Sequence, residues 1–179
     1  MTLRNARSTK GFALIDLIFV CGIIGILCSV ALPRLLLARQ AAGASSAIGS
    51  MRAINSAQLT FALTCGGGFY APNLTTLGTV PPASKEAFIS PALGLADTVT
   101  RAGYMIQMSA TPFPAAPDSC NGLAIGAAGQ AFKAAADPVE PQNTRFFATN
   151  ANAQIWEDSV SLYAAMPEVG DPAVGHVLR

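Results

Sequence analysis

The chain has 179 residues, of which 12% are charged and 51% hydrophobic, and eleven basic against ten acidic side chains leave a net charge of +1. The charged fraction is about half the roughly 25% of ordinary soluble domains. Such a balance excludes an acidic tail and a strongly basic nucleic-acid surface, the high hydrophobicity excludes intrinsic disorder, and the single histidine, His176, excludes a His-based metal site or triad.

The apolar character is concentrated at the start. Arg4, Arg7 and Lys10 form a basic leader without an acid beside them, and residues 12–33 then read FALIDLIFVCGIIGILCSVALP, with Asp16 as the one charge. As a helix these twenty-two residues span roughly 33 Å, the thickness of a bilayer's hydrocarbon core. Basic residues ahead of the run place the leader on the cytoplasmic side and the rest outside. Residues 1–11 carry +3, residues 12–64 carry +2 and residues 65–179 carry −4. A secretory signal peptide has a shorter core that ends at a small-residue cleavage site. A plain transmembrane anchor accounts for the length but not for Asp16, since a carboxylate at the bilayer centre costs about 3 kcal/mol on insertion scales.

The segment Lys10-Gly11-Phe12-Ala13-Leu14-Ile15-Asp16-Leu17 resembles the prepilin processing site of type IV pilins and type II secretion pseudopilins. The resemblance implies cleavage after Gly11 by a membrane prepilin peptidase, followed by N-methylation of Phe12. Gly25 and Pro33 match the helix-loosening positions of the family, and IIGILCSVALP follows its pattern. The family usually carries glutamate at the fifth residue after the cut, where this chain has Asp16, one methylene shorter. A new cationic amine on Phe12, packed among apolar helices, is tolerable only when paired. The resemblance assigns that pairing to Asp16 of a neighbouring subunit, setting axial register during assembly. The plainer alternative has Asp16 snorkelling to the cytoplasmic interface. In related filaments the stretch corresponding to residues 25–33 loses helical order.

Beyond Pro33 the sequence RLLLARQAAGASSAIGSMRAINSAQLTFALT contains no proline, and Gly66-Gly67-Gly68 supplies a stop. Ala44, Ile48, Met51, Asn55, Leu59 and Leu63 form an expected apolar stripe, with Arg39, Gln40, Ser46 and Arg52 mostly off it. A helix over 12–64 results, apolar all round in its first half and amphipathic in its second.

The remainder, 65–179, is a head. A loop-rich stretch over 66–100 is pinned by Phe69, Tyr70, Leu74 and Leu77. Strands are expected at 104–108, 131–135, 145–148 and 154–157, with a hairpin turn over Asn150-Ala151-Asn152-Ala153 and an irregular tail from 159. One long helix followed by short antiparallel strands gives an α+β arrangement, with the helix packed against the sheet. These strand segments also resemble those of pilin heads.

Cys21 and Cys28 lie seven apart on one face of the apolar helix, as small residues at helix contacts that cannot bridge each other. Cys65 and Cys120 are the two cysteines on the extracytoplasmic side, where oxidation is expected, so they are expected to pair. Glu157-Asp158 and Asp171 are weak calcium candidates against a reading as surface charge, and Asn73-Leu74-Thr75 is a glycosylation triplet of low specificity. No haem, phosphate-loop or nucleophile-elbow motif is present. The expectation is therefore no cofactor, no enzymatic activity and no direct nucleic-acid site. The expected role is that of a major pilin, anchored in the bacterial inner membrane and then polymerised with copies of itself outside the cell. Its other partners would be the prepilin peptidase/methylase and the assembly machinery. A pseudopilin of a secretion or DNA-uptake system is the alternative within the family, and a signal-anchored periplasmic binding or enzyme domain the alternative outside it.

Overall fold

An alanine- and leucine-rich stretch interrupted by one proline folds as a single helical element, α1, Lys10–Thr64, which continues through Gly25 and Pro33. The computed structural model describes residues 10–178, with side chains from Leu14 onward; residues 1–9 of the expected leader over 1–11 lie outside the described residues, as does the side chain of Phe12. Two compact units divide between Arg39 and Gln40. The first contains the α1 residues up to Arg39, and the second contains the rest of α1 and everything after it.

In the second unit α1 stops where glycine permits it. Gly67 and Gly68 take φ of 58° and 93°, while the N–H groups of Gly66 and Gly68 donate to the carbonyls of Phe61 and Ala62. Two short helices follow, α2 (Leu74–Gly78) and α3 (Pro91–Gly94), within the stretch expected to be loop. Among the described residues six strands form one antiparallel sheet in simple sequence order: β1 (Thr98–Arg101), β2 (Tyr104–Ser109), β3 (Lys133–Pro138), β4 (Phe146–Asn150), β5 (Ile155–Asp158) and β6 (His176–Val177). The four expected strands are present, each beginning or ending within three residues of its expected bounds. The two edge strands, β1 and β6, were not expected: β1 is mostly exposed and β6 has two residues, so neither carries an apolar alternation.

The main core lies between α1 and one face of this sheet. Ala44, Ala47, Met51, Ile54, Ala57 and Phe61 of α1 bury with Tyr104, Ile106 and Met108 of β2, Ala134 and Ala136 of β3, and Phe147 of β4. This corrects the expected stripe, because Leu59 and Leu63 are 55% and 75% exposed. Steps of four overshoot a 3.6-residue period by about 40° each, so the series Met51, Asn55, Leu59, Leu63 rotates roughly 120° around the helix. The buried series mixes steps of three and four, which average close to 3.6, and stays on one face. Alanine at these positions lets helix and sheet approach closely. At Gly43 the approach is tightest: a Cβ there would lie 2.7 Å from the carbonyl oxygen of Ala102, in the turn joining β1 to β2.

Buried polar side chains organise the core's edge. Gln58 donates through Nε2 to the Ala71 carbonyl at 2.8 Å and accepts from the Ala71 N–H at 2.9 Å, fixing the chain after the helix. Thr149 accepts from Asn55 Nδ2 at 2.9 Å and donates to the Gln154 carbonyl at 2.8 Å, across the β4–β5 turn. Leu74 and Leu77 are fully buried, Tyr70 packs on Phe132 and Phe69 stacks on Phe113, as expected for the residues that pin this connection.

The opposite sheet face carries a second, smaller core of Ala135, Ala148, Trp156, Leu162 and Met166. Leu162 and Met166 of the tail read as irregular complete it, from a strap over 159–175 that has no helix or strand before β6. Asn150 Nδ2 donates to the carbonyls of Pro167 and Gly170, and Glu168 Oε1 accepts from the N–H and hydroxyl of Thr111. Asp137 on β3 accepts from the Ser161 hydroxyl at 2.7 Å, while its other oxygen is buried without a partner. Burial pushes the Asp137 carboxyl above its ordinary range, and the Ser161 hydrogen bond only partly opposes this.

Two stability outcomes follow. Gly43→Ala costs about 1–3 kcal/mol by overpacking, whereas Gly49→Ala, where an added Cβ meets nothing within 4 Å, gains about 0.5–1 kcal/mol of helix propensity; chemical denaturation of the detergent-solubilised chain checks both signs. Because Asp137 binds its proton more tightly when folded, wild-type stability falls as pH rises from the unfolded carboxylate range through the raised folded value, then levels off. Asp137→Asn removes this decline and raises the neutral-pH melting temperature, which a pH series of thermal melts reads directly.

Candidate assembly segment

Among the described residues the first unit has no core of its own. From Leu14 to Leu37 fifteen large apolar side chains are each 44–69% exposed. This stretch contains a window of mean hydropathy 2.6, none of it buried, and α1 is long and apolar enough to cross a membrane. A contiguous apolar surface of this extent far exceeds the few hundred Å² that soluble monomers expose. Burial is worth about 25 cal/mol per Å², so the segment requires apolar surroundings.

Asp16 sits on this helix, exposed, with no hydrogen bond or ion pair among the described residues. Its backbone is helical, so its carboxylate stands one turn beyond Phe12, whose side chain lies outside the described residues. Gly25 is open: an added Cβ meets nothing within 4 Å, and the same holds at Gly22. Pro33 is contained within the helix, and residues 25–33 are helical throughout. The Ser29 hydroxyl donates to the Ile26 carbonyl at 2.7 Å, which satisfies it without a partner outside the helix. Cys21 and Cys28 are free and exposed, touching no core within the chain.

The second unit is closed by the Cys65–Cys120 disulfide, with Cα atoms 4.9 Å apart and a sequence separation of 55. The Cys120 N–H also donates to the Cys65 carbonyl at 3.2 Å. The end of α1 is thereby tied to the β2–β3 connection, as expected from the two cysteines. A loop of this size contributes roughly 4 kcal/mol in the chain-entropy account.

The weaker candidates find structural employment. Glu157 forms a two-pronged ion pair with Arg145, at 2.5 and 3.0 Å, which holds its carboxyl below the ordinary range. Asp158 accepts from the Ser159 N–H, and Asp171 is exposed. Among the described residues no group of three His, Cys, Asp or Glu side chains could hold a metal ion. Asn73 caps α2 by accepting from the Thr76 N–H at 3.0 Å, and its amide donates to Asp97 at 3.3 Å, so the asparagine of the triplet is already engaged.

Three structural residues have hydrogen-bonding roles that the sequence did not show: Gln58, Asn55, placed only in the apolar stripe, and Asn150, placed only in the hairpin turn. Gln58 had one available signal, since it falls between Ile54 and Phe61 at core spacing, where a polar residue must find partners. Compared with known proteins, the chain matches no family model, no curated protein and no solved structure.

Proposed function

We propose that this chain is the structural subunit, a major pilin, of a type IV pilus-like filament. In this reading it enters the bacterial inner membrane as a single-pass precursor with its N-terminus in the cytoplasm. Cleavage after Gly11 removes the three basic residues Arg4, Arg7 and Lys10 and exposes Phe12 for methylation. The mature side chains then number eight basic and ten acidic. One observation carries the proposal: an apolar helical face without a core of its own, bearing a single acid five residues after a Gly-Phe junction. The resemblance of that junction to prepilin sites supports it.

The physical sequence is an exchange of surroundings. Lipid first covers the side chains from Leu14 to Leu37, and neighbouring helices then cover them as subunits are added. Both environments are apolar, so the transfer is nearly neutral for side chains such as Ile15, Leu17 and Phe19. Asp16 supplies direction within that exchange: in low dielectric its charge is tolerable beside the amine of Phe12 on an adjacent copy and costly elsewhere. The disulfide-closed head remains in water. Partners are further copies of the chain, the peptidase/methylase and the assembly machinery.

Two experiments test this. Mass spectrometry of the mature protein is expected to show an N-terminal methylated Phe12; retention of Met1 or cleavage elsewhere contradicts the reading. Asp16→Ala is expected to insert into the membrane normally while lowering polymer yield by at least about tenfold, equivalent to ~1.4 kcal/mol. Normal yield from that variant removes the register role. Long shed filaments composed mainly of this chain separate a major pilin from a pseudopilin.

A further inference from the structure

Residues 40–178 contain five cations and nine acids. Arg145 is paired with Glu157, and Lys133 lies 5.1 Å from the centre of the Tyr163 ring. Arg52, Lys85 and Arg101 form no ion pair among the described residues. Lys85 shares its recess with Glu86. Arg101 stands differently: it lines a recess of about 290 Å³ between α1, α3 and the end of β1 whose walls contain no acid.

The recess is built from small and hydroxyl-bearing residues. Ser46, Gly49, Ser50 and Ala53 supply the α1 wall, and Ser90 and Leu93 supply the opposite one. The Ser50 hydroxyl is spent on the Ser46 carbonyl at 2.9 Å, whereas the Ser90 hydroxyl caps nothing at the start of α3. Arg101 and a serine whose hydroxyl makes no capping bond thus both line a concavity too small for a folded element and suited to one side chain. Guanidinium geometry favours a planar carboxylate.

We propose that this recess receives a carboxylate from a second copy of the chain. The occupant follows from charge: in the same unit four exposed carboxylates, Glu86, Asp118, Glu140 and Asp171, accept no hydrogen bond from described residues. An acidic surface with one unpaired, acid-free cationic recess is complementary to a copy of itself. Such a contact between different patches of identical subunits is heterologous and propagates rather than closing in a pair. This inference rests on the filament reading and adds to the apolar helix a second contact, one between heads.

The test uses full-length chain assembled in cells. Arg101→Glu places like charges at the contact and is expected to lower polymer yield at least about tenfold, with Arg101→Lys recovering most of it. Polymers co-assembled from unlabelled and nitrogen-15-labelled copies of the Arg101→Lys variant are then treated with a carbodiimide. Mass spectrometry is expected to show an amide linking the amine at position 101 to a carboxylate on a copy of the other isotope. Wild-type polymer together with undiminished Arg101→Glu polymer, or cross-links confined to single chains, overturns the head contact and leaves the filament reading standing. A wild-type chain that never polymerises overturns both.

Discussion

Everything about this protein turns on fifteen large apolar side chains between Leu14 and Leu37 that stand exposed among the described residues. A soluble fold would draw such residues into its core, because about 25 cal/mol per Å² rewards doing so. Here the second unit already has a closed core, filled by a different stretch of the same helix. The mixture of three- and four-residue steps from Ala44 to Phe61 keeps one face toward the sheet, and alanine allows the two layers to approach closely. Before Arg39 no single face is singled out, because apolar residues surround the helix on all sides. Its surroundings must come from outside the chain.

The head is correspondingly self-sufficient. A disulfide fixes the end of α1 to the β2–β3 connection, Gln58 fixes the chain that leaves the helix, and the tail strap seals the outer sheet face. Under the strap, on β3, lies the one orphaned buried side-chain oxygen among the described residues: Asp137 accepts from the strap's Ser161 through one oxygen and leaves the other without a partner. That oxygen is the weak point of an otherwise satisfied polar network, and its energetic effect grows as the carboxylate ionises.

How much of this was legible in the sequence depended on whether a signal was periodic or local. The apolar run, the glycine stop and the central strands could be read because each has a repeating or punctuating pattern: Tyr104, Ile106 and Met108 alternate, and Gly66-Gly67-Gly68 ends the helix. The helix face was read with the wrong drift, since Leu59 and Leu63 satisfy a step of four yet rotate away from the sheet. The strap was missed because Leu162 and Met166 are too few to form a pattern, and their burial is dictated by Trp156 and Ala148 across the sheet. β1 and β6 were missed because edge pairing is a tertiary event with little sequence signal. Of the assembly segment, the chemistry of Asp16, Gly25 and Pro33 was readable from residue type against an apolar background. Within the described residues Asp16 has no hydrogen bond or ion pair, so a single chain does not show what faces it.

The claim that the helix ends its life among other helices has a built-in reporter. Cys21 and Cys28 are free, exposed thiols on this segment. The most direct measurement is their labelling by a water-soluble maleimide in shed, membrane-free material, before and after the polymer is dissociated in detergent. The account predicts that both thiols are protected in the intact material and become reactive on dissociation and denaturation. Full labelling of both in the intact material would contradict it.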